Sequence, residues 1–490
     1  MEERPTIPGR LLGPLLIGAT TALAGGYWDD AWHTERGRDS FLIAPHIAIY
    51  GGIALAGAAL AWWVLLAVRA QDMRATLRHR PLALALLTVG LTLASGPTDN
   101  AWHLAFGRDA VIWSPPHMLG IVGTAGLVVA VLVELSGSAA SWARRARPVA
   151  GAFVLAALTF LVVEYETDVP QFDAVWYLPV LGLTSALALA IVRRATPGRW
   201  GAGEAAAAQL AFVGAVSLLL VALGFDTPKL PLLLVPALVL DVGARRGLPL
   251  TGQGLAYTVG LFALYVPTVD WLGQGVQLDG ADVLVAFPLT LVAVTAVLAA
   301  VLGDRGHAEC VRLATAVAIG GGALLILPAG AVAHDPGQGA DAGTVALAAR
   351  ATGRGVALTA VAGPGLCRRL GAGRLVARRS GVTKRVAMRR SGCRYRGRLS
   401  VPQRGRWFVY AELSRGKATV ESWIPVKVGD AQTVSDPERY AYVADANAGG
   451  LLKTVAGASL YLLVLATAGA VILLVRGAST SGGPGPIGAR

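Results

Sequence analysis

Cysteine is scarce in this 490-residue chain, and three residues cannot build a disulfide scaffold or a four-cysteine metal centre. Charge is scarce as well, at 15% against 54% hydrophobic residues and a mean hydropathy of +0.57, which lies outside the composition of soluble proteins. Aromatics reach only 7%, too few to suggest a transmembrane β-barrel with its aromatic girdles. Glycine, at sixty-one residues, and alanine are abundant instead. Such small residues let membrane helices approach closely. The composition predicts an α-helical polytopic membrane protein.

Apolar stretches long enough to cross about 30 Å of hydrocarbon begin near residues 10, 42, 81, 112, 148, 174, 205, 231, 253, 281, 311 and 450. They predict about twelve transmembrane helices; interruptions at Gly90, Gly96 and Asp241 leave eleven or thirteen open. Lys and Arg in the short loops set the orientation. Arg69 to Arg80, Arg144 to Arg147, Arg193 to Arg199, Arg245 with Arg246, and Arg305 to Arg312 fall in alternate loops. Those loops, Arg4, Arg10 and both termini are therefore expected in the cytoplasm of a cell that carries the chain in its membrane. The opposite loops hold Glu164, Glu166, Asp168, Asp173, Asp226, Asp270, Asp279 and Asp282.

Residues 334–449 break the apolar pattern and fall on the outer side. Alternating runs at 355–361, 385–388, 407–413 and 419–426, broken by Gly, Pro and Ser, predict a small extracytoplasmic β-sandwich. Twenty Lys or Arg stand there against eight acids, so a net +12 of the chain's +13 is local. That basicity suits docking onto acidic loops or anionic headgroups, or a solvated arginine-rich face; no nucleic-acid partner is expected. Cys367 and Cys393 both lie in this region, facing an oxidising compartment, and are available to pair, whereas Cys310 is cytoplasmic.

The chemistry is concentrated in an internal duplication. Residues 27–52 and 97–123 match at an offset of seventy: Asp29 with Asp99, Trp32 with Trp102, His33 with His103, and Gly37-Arg38-Asp39 with Gly107-Arg108-Asp109. His46 and His117 align after one inserted residue. Each unit is two spans joined by an outer loop. Asp29 and His33, four apart, share one helix face; His46 follows Pro45 at the start of the next span, where an antiparallel hairpin returns it to the first pair. Asp99, His103 and His117 can repeat the arrangement. One carboxylate and two imidazoles with an open position suit copper, with zinc or non-haem iron as alternatives. Four of the seven histidines sit in these two units, at membrane depth, where ionisable groups are costly and usually functional. Trp32 and Trp102 read as interfacial belt residues. Arg38, Asp39, Arg108 and Asp109 read as ties within the loops, or as outer hydrogen-bond partners of the ligating imidazoles. The expected organisation is 1–135 as the duplicated metal-binding hairpins, 136–333 as further transmembrane helices without a recognisable motif, 334–449 as the β domain, and 450–490 as a last helix with a cytoplasmic tail.

The pattern D-x-x-W-H, R-D and P-x-H, with Asp-His-His spaced by four and thirteen, resembles one integral membrane subunit of the copper membrane monooxygenases, the particulate methane and ammonia monooxygenase family. Asp29, His33 and His46 fit its first motif. His103 and His117 fit the four-and-fourteen spacing of its second, with Asp99 where that family has Asn. The resemblance implies two neighbouring copper sites, one of them a place of oxygen chemistry. The apolar run 327–333 before His334, and Gly405-Arg406-Trp407-Phe408-Val409-Tyr410 with Trp423 and Val426 after it, are similar to the start and to two strands of the cupredoxin-like domain found in another subunit of the same family. That domain places an H-x-H pair where this chain has Phe408 and Tyr410, so the resemblance implies no copper site there, and His334 is expected to be an ordinary exposed residue.

Two functional readings result. In the first, copper at one or both trios supports a membrane monooxygenase that hydroxylates a small apolar substrate arriving from the bilayer, with electrons from a quinol or similar donor, as a single chain or in a homo- or hetero-oligomer. In the second, the same ligands serve copper or zinc binding, delivery or transport without turnover. A structural or assembly role in an envelope complex is a third.

Overall fold

The computed structural model describes residues 7–36, 42–70, 72–106, 112–170, 172–196, 200–273, 276–303, 340–379, 382–444 and 450–478. Arg38, Asp39, Arg108, Asp109, His334 and the expected span that begins near residue 311 lie outside the described residues.

Two long helical hairpins come first. Helix α1 (Gly9–Glu35) lies against α2 (Ala44–Ala70); after the short α3 (Met73–Arg78), α4 (Arg80–Phe106) lies against α5 (Pro115–Gly137). Helices of 27 residues extend about 40 Å, more than the hydrocarbon thickness, and the trios lie near their ends. The chain continues through α6 (Ser141–Thr159) and α7 (Val163–Glu166), joined by a 3₁₀ turn, then α8 (Tyr177–Ala195), α9 (Gly201–Ala222), α10 (Leu234–Arg245), α11 (Leu250–Leu272) and α12 (Gly280–Leu302). Among the described residues nine helical stretches are long and apolar enough to cross a membrane. The stretch near 231 falls short of its expected span because α10 has only twelve residues, about 18 Å. Helix α11 has the length of a span, and its polar residues Gln253, Tyr257, Thr258 and Tyr265 are buried inside the protein while Leu255 and Val259 are exposed.

The first hairpin packs backbone to backbone. A Cβ built on Gly18 would stand 2.5 Å from the carbonyl oxygen of Gly52, and one built on Gly52 would stand 2.5 Å from the carbonyl oxygen of Gly18. Only residues without a side chain permit that crossing. In the second hairpin the position of Gly18 is taken by Thr88, and α5 answers with small residues, Gly120 against Ser95 and Gly126 against Thr88.

The C-terminal domain corrects one expectation. Strands β1 (Ala340–Thr352), β2 (Gly355–Ala362), β3 (Gly373–Arg379), β4 (Val382–Ser391), β5 (Arg394–Ser400), β6 (Gly405–Arg415), β7 (Ala418–Val428) and β8 (Gln432–Ala444), with the short α13 (Pro364–Cys367) between β2 and β3, form a closed antiparallel barrel in the order β1-β2-β5-β4-β3-β6-β7-β8. It is not an open two-sheet sandwich. Closure comes from β1, whose thirteen residues pair with both β2 and β8 and whose ladder with β8 shifts register twice, the irregularity that lets a strand bend round a corner. Alternate residues, among them Leu375, Trp407, Val409, Ile424 and Val426, fill the interior, and Cys367 pairs with Cys393. The last helix, α14 (Leu451–Ala478), returns to pack against α5.

The barrel docks on the helical part by its outside. Phe408, Tyr410, Trp423, Tyr442 and Val376 form one buried cluster with Val169 of the segment after α7. Asp168, at φ 61°, holds a left-handed turn that Asp tolerates better than most residues. Its Oδ1 accepts from Arg379 Nη2 at 2.7 Å, its Oδ2 from the Arg406 amide at 2.7 Å, and its carbonyl from Arg379 Nη1 at 2.9 Å. Asp226 pairs with Arg406 and, at 3.1 Å, with Lys427. Burial works against ionisation of Asp226, but the Arg406 and Lys427 charges outweigh it and hold the carboxyl below its ordinary value.

This packing makes two expectations testable. Gly52→Ala should spread α1 from α2 and destabilise the hairpin by about 1–3 kcal/mol, whereas Gly51→Ala, whose Cβ would meet nothing within 4 Å, should be silent in thermal melts. A carboxyl depressed on folding contributes stability above its unfolded pKa of about 3.9 and loses it as pH falls through the folded value. Barrel docking should therefore hold at pH 5 and loosen only below about pH 4. Hydrogen exchange of β6 and β7 reads this, and Asp226→Asn should weaken protection at pH 7 and flatten the pH dependence from this site.

Candidate metal centre

Each trio is assembled by one hairpin. Asp29 and His33 occupy successive turns at the end of α1, and His46 sits in the first turn of α2 directly after Pro45, a residue suited to a helix start because its missing N–H would be unpaired there anyway. The second hairpin repeats this with Asp99 and His103 on α4 and His117 on α5, where Ser114 caps the helix by accepting from the His117 amide at 3.4 Å.

His33 Nε2 lies 3.5 Å and His46 Nε2 3.2 Å from Asp29 Oδ1. In the second trio His103 Nε2 is 3.0 Å from Asp99 Oδ2, and His117 Nε2 is 3.2 Å from Asp99 Oδ1. One potential ligand atom from every member lies within 4.8 Å of the others in its trio. Ligands held 2.0 to 2.2 Å from a common ion in a tetrahedron stand about 3.3 to 3.6 Å apart, so the donor sets fit a bound metal. Both imidazoles present the same nitrogen, Nε2, toward the carboxylate. The difference between the trios is that Asp29 meets both imidazoles with one oxygen and Asp99 divides them between two.

Five of these six residues line one cavity of about 140 Å³ between the hairpins; His103 does not line it. Besides the trio, the first hairpin gives it apolar wall from Ala22, Leu23, Ile49 and Ile53, and the 3₁₀ turn after α6 adds Phe160. On the second hairpin Thr92 and Ser95 line it, and their hydroxyls donate to the carbonyls of Thr88 at 2.9 Å and Thr92 at 2.7 Å. Those hydroxyls thus offer acceptor lone pairs to the cavity.

Among the cavity residues that the sequence did not single out as part of a site, three bear on its chemistry. Asp30, buried at 8% exposed, and Tyr50 both line the cavity, as does Gly96. The Tyr50 ring lies 5.7 Å from that of His46, and a Cβ on Gly96 would stand 2.7 Å from the Tyr50 ring, so the glycine one turn before Asp99 is what admits this side chain. A signal for Tyr50 was present in its spacing, one turn beyond His46. Asp30 had no such signal, since its partner in the repeat is Asn100.

The tryptophans are packed inside the protein more than a belt position implies. Trp102 is 5% exposed, with Lys453 over its ring at 5.8 Å and Gly457 of α14 beside it. Trp32 packs on Phe225 at 5.9 Å between centroids. Phe408 and Tyr410, where the resembled cupredoxin-like domain carries H-x-H, are buried in the docking face; Phe408 meets Trp423 edge-on at 4.9 Å.

Each trio is expected to hold one ion. Elemental analysis of copper-exposed protein in mild detergent should find one equivalent fewer in His33→Ala, one fewer in His103→Ala, and none in the variant lacking all four motif histidines; unchanged stoichiometry in the last would remove both sites. Searches of protein-family models, curated proteins and solved structures found no match to this chain.

Proposed function

We propose that this chain is a copper-binding membrane protein acting as a monooxygenase on a small apolar substrate. The observation that carries the reading is two Asp-His-His trios at metal-ligand spacing, five of whose six residues line one cavity with largely apolar walls. The motif spacing shared with the copper membrane monooxygenases supports copper over zinc or iron. Bound copper would supply the reduction of O₂. In the balanced reaction, quinol, O₂ and R–H give quinone, R–OH and water, the quinol providing two electrons and two protons.

The chain's own residues account for the rest. Asp29 and Asp99 offset the charge of an ion at a depth where free charge is costly. Leu23, Ile49, Ile53 and Phe160 exclude water and hold an apolar substrate. The lone pairs of Thr92 and Ser95 suit a hydroxyl proton that the substrate lacks and the product has, which favours turning the product away from the apolar wall. The charge distribution of the loops supports a cavity near the outer membrane boundary.

Metal delivery without turnover is the competing reading, with acidic outer loops gathering cations. Two of those acids, Asp168 and Asp226, are instead paired with Arg379, Arg406 and Lys427, which weakens it. Copper-loaded protein given a quinol and a small apolar substrate should consume O₂ in a substrate-dependent way, and His33→Ala or His103→Ala should reduce that by roughly a hundredfold or more, since even outer partners of ligands are worth 10–100-fold. Absence of such uptake with several donors, together with transfer of the copper to a chelating partner domain, would establish delivery in its place.

A further inference from the structure

We infer that the barrel face turned away from the helices is a docking surface for a soluble acidic protein. From Ala342 to Ala411 the chain has sixteen Lys or Arg and no Asp or Glu. A minority of these charges are satisfied within the molecule. Arg379 and Arg406 bind Asp168 and Asp226, Arg374 and Arg378 bind Glu412, and Arg390 donates to the carbonyls of Cys367, Leu370, Gly371 and Gly392.

The strand register gathers others into one field. On β5, Arg394, Arg396 and Arg398 are exposed at every second position, while Tyr395 between them fills the barrel interior. Arg396 stands directly opposite Arg389 of β4. On the other side Arg398 faces Ala357 of β2, which faces Arg350 of β1. Five guanidinium groups thus share the outer face of four adjacent strands. Like charges directly opposite each other destabilise an antiparallel pair, and among the described residues no carboxylate lies in ion-pair reach of these five. A surface built at that cost calls for an external anion.

Position decides which one. In the strand order, β2 and β5 lie across the barrel from β6 and β7, whose outer face is sealed against the helical part. The arginine face therefore points away from the helices and from the bilayer that would hold them. Opposite walls of such a domain are about 10 Å apart before side chains are added, a full Debye length at physiological salt, so the headgroups of that bilayer exert little pull on it. Small residues between the arginines, Ala348, Ala357 and Thr359, leave the surface low enough for a folded protein to approach, and carboxylates accept the planar fork of arginine in bidentate fashion. Long-range attraction between two such faces raises the rate of encounter.

The test uses the full chain in nanodiscs of neutral lipid. A fluorescent twenty-residue polyglutamate peptide stands in for the acidic partner, and phosphatidylglycerol vesicles are added in a separate arm. The peptide should bind the unaltered protein and weaken with salt. The combined Arg389→Gln, Arg394→Gln, Arg396→Gln and Arg398→Gln variant should bind it roughly tenfold less tightly, the scale expected from several exposed ion pairs, while Lys at the same four positions should keep most of the affinity. If the fourfold Gln variant does not fold, the pair Arg394→Gln and Arg398→Gln carries the same comparison. Equal peptide binding by the Gln and unaltered proteins, or binding of vesicles without binding of peptide, overturns the inference.

Discussion

The contact on which the rest depends is the crossing of α1 and α2 at Gly18 and Gly52. Two helices that meet through side chains lie about 8 to 10 Å apart; here backbone meets backbone. Because α2 is drawn in so closely, an imidazole in its first turn reaches a carboxylate near the end of α1, and His46 arrives 3.2 Å from Asp29. The second hairpin achieves the same result with different residues, Thr88 and Ser95 facing glycines of α5. What the repeat preserves is a close contact through glycine in each hairpin, and both hairpins bring their trios together.

The barrel contributes at a distance. Glu35, two residues beyond His33, accepts the Asp226 amide through its side chain at 2.6 Å and the Arg439 guanidinium through its carbonyl at 2.9 Å. The end of α1 is thereby tied both to the segment after α9 and to β8. Phe408 and Tyr410 are part of the same seam, with Trp423 and Val169. Apolar burial and the paired charges at Asp168 and Asp226 act there together.

Much of this was readable before the structure. Helix content, the duplicated hairpins and the two trios follow from period, offset and the four-residue spacing of Asp29 with His33, because such local features survive folding. Strands β2, β4, β6 and β7 showed alternation. Strand β1 did not, since Ala346, Ala348, Ala349 and Ala351 are small on both faces, and β5 hid behind arginines at every second position. Barrel closure is a long-range property of β1, which pairs Val345 with the distant Arg439, and no local pattern encodes it. The merging of the two trios into one cavity is likewise invisible in sequence, because it depends on how one hairpin packs beside the other.

Chain order gives the docked barrel a further consequence. The residues of both trios are complete once His117 has been made, yet the β domain tied to the end of α1 begins at Ala340 and the helix that packs on Trp102 begins at Leu451. At ordinary rates of synthesis, about 5 to 20 residues per second, the hairpins stand without the β domain for roughly 10 to 45 seconds before the first strand appears. In the finished fold the two copies differ in their surroundings: the first packs against α6 and α9 and is tied to the basic β domain, whereas the second packs against α6 and the last helix.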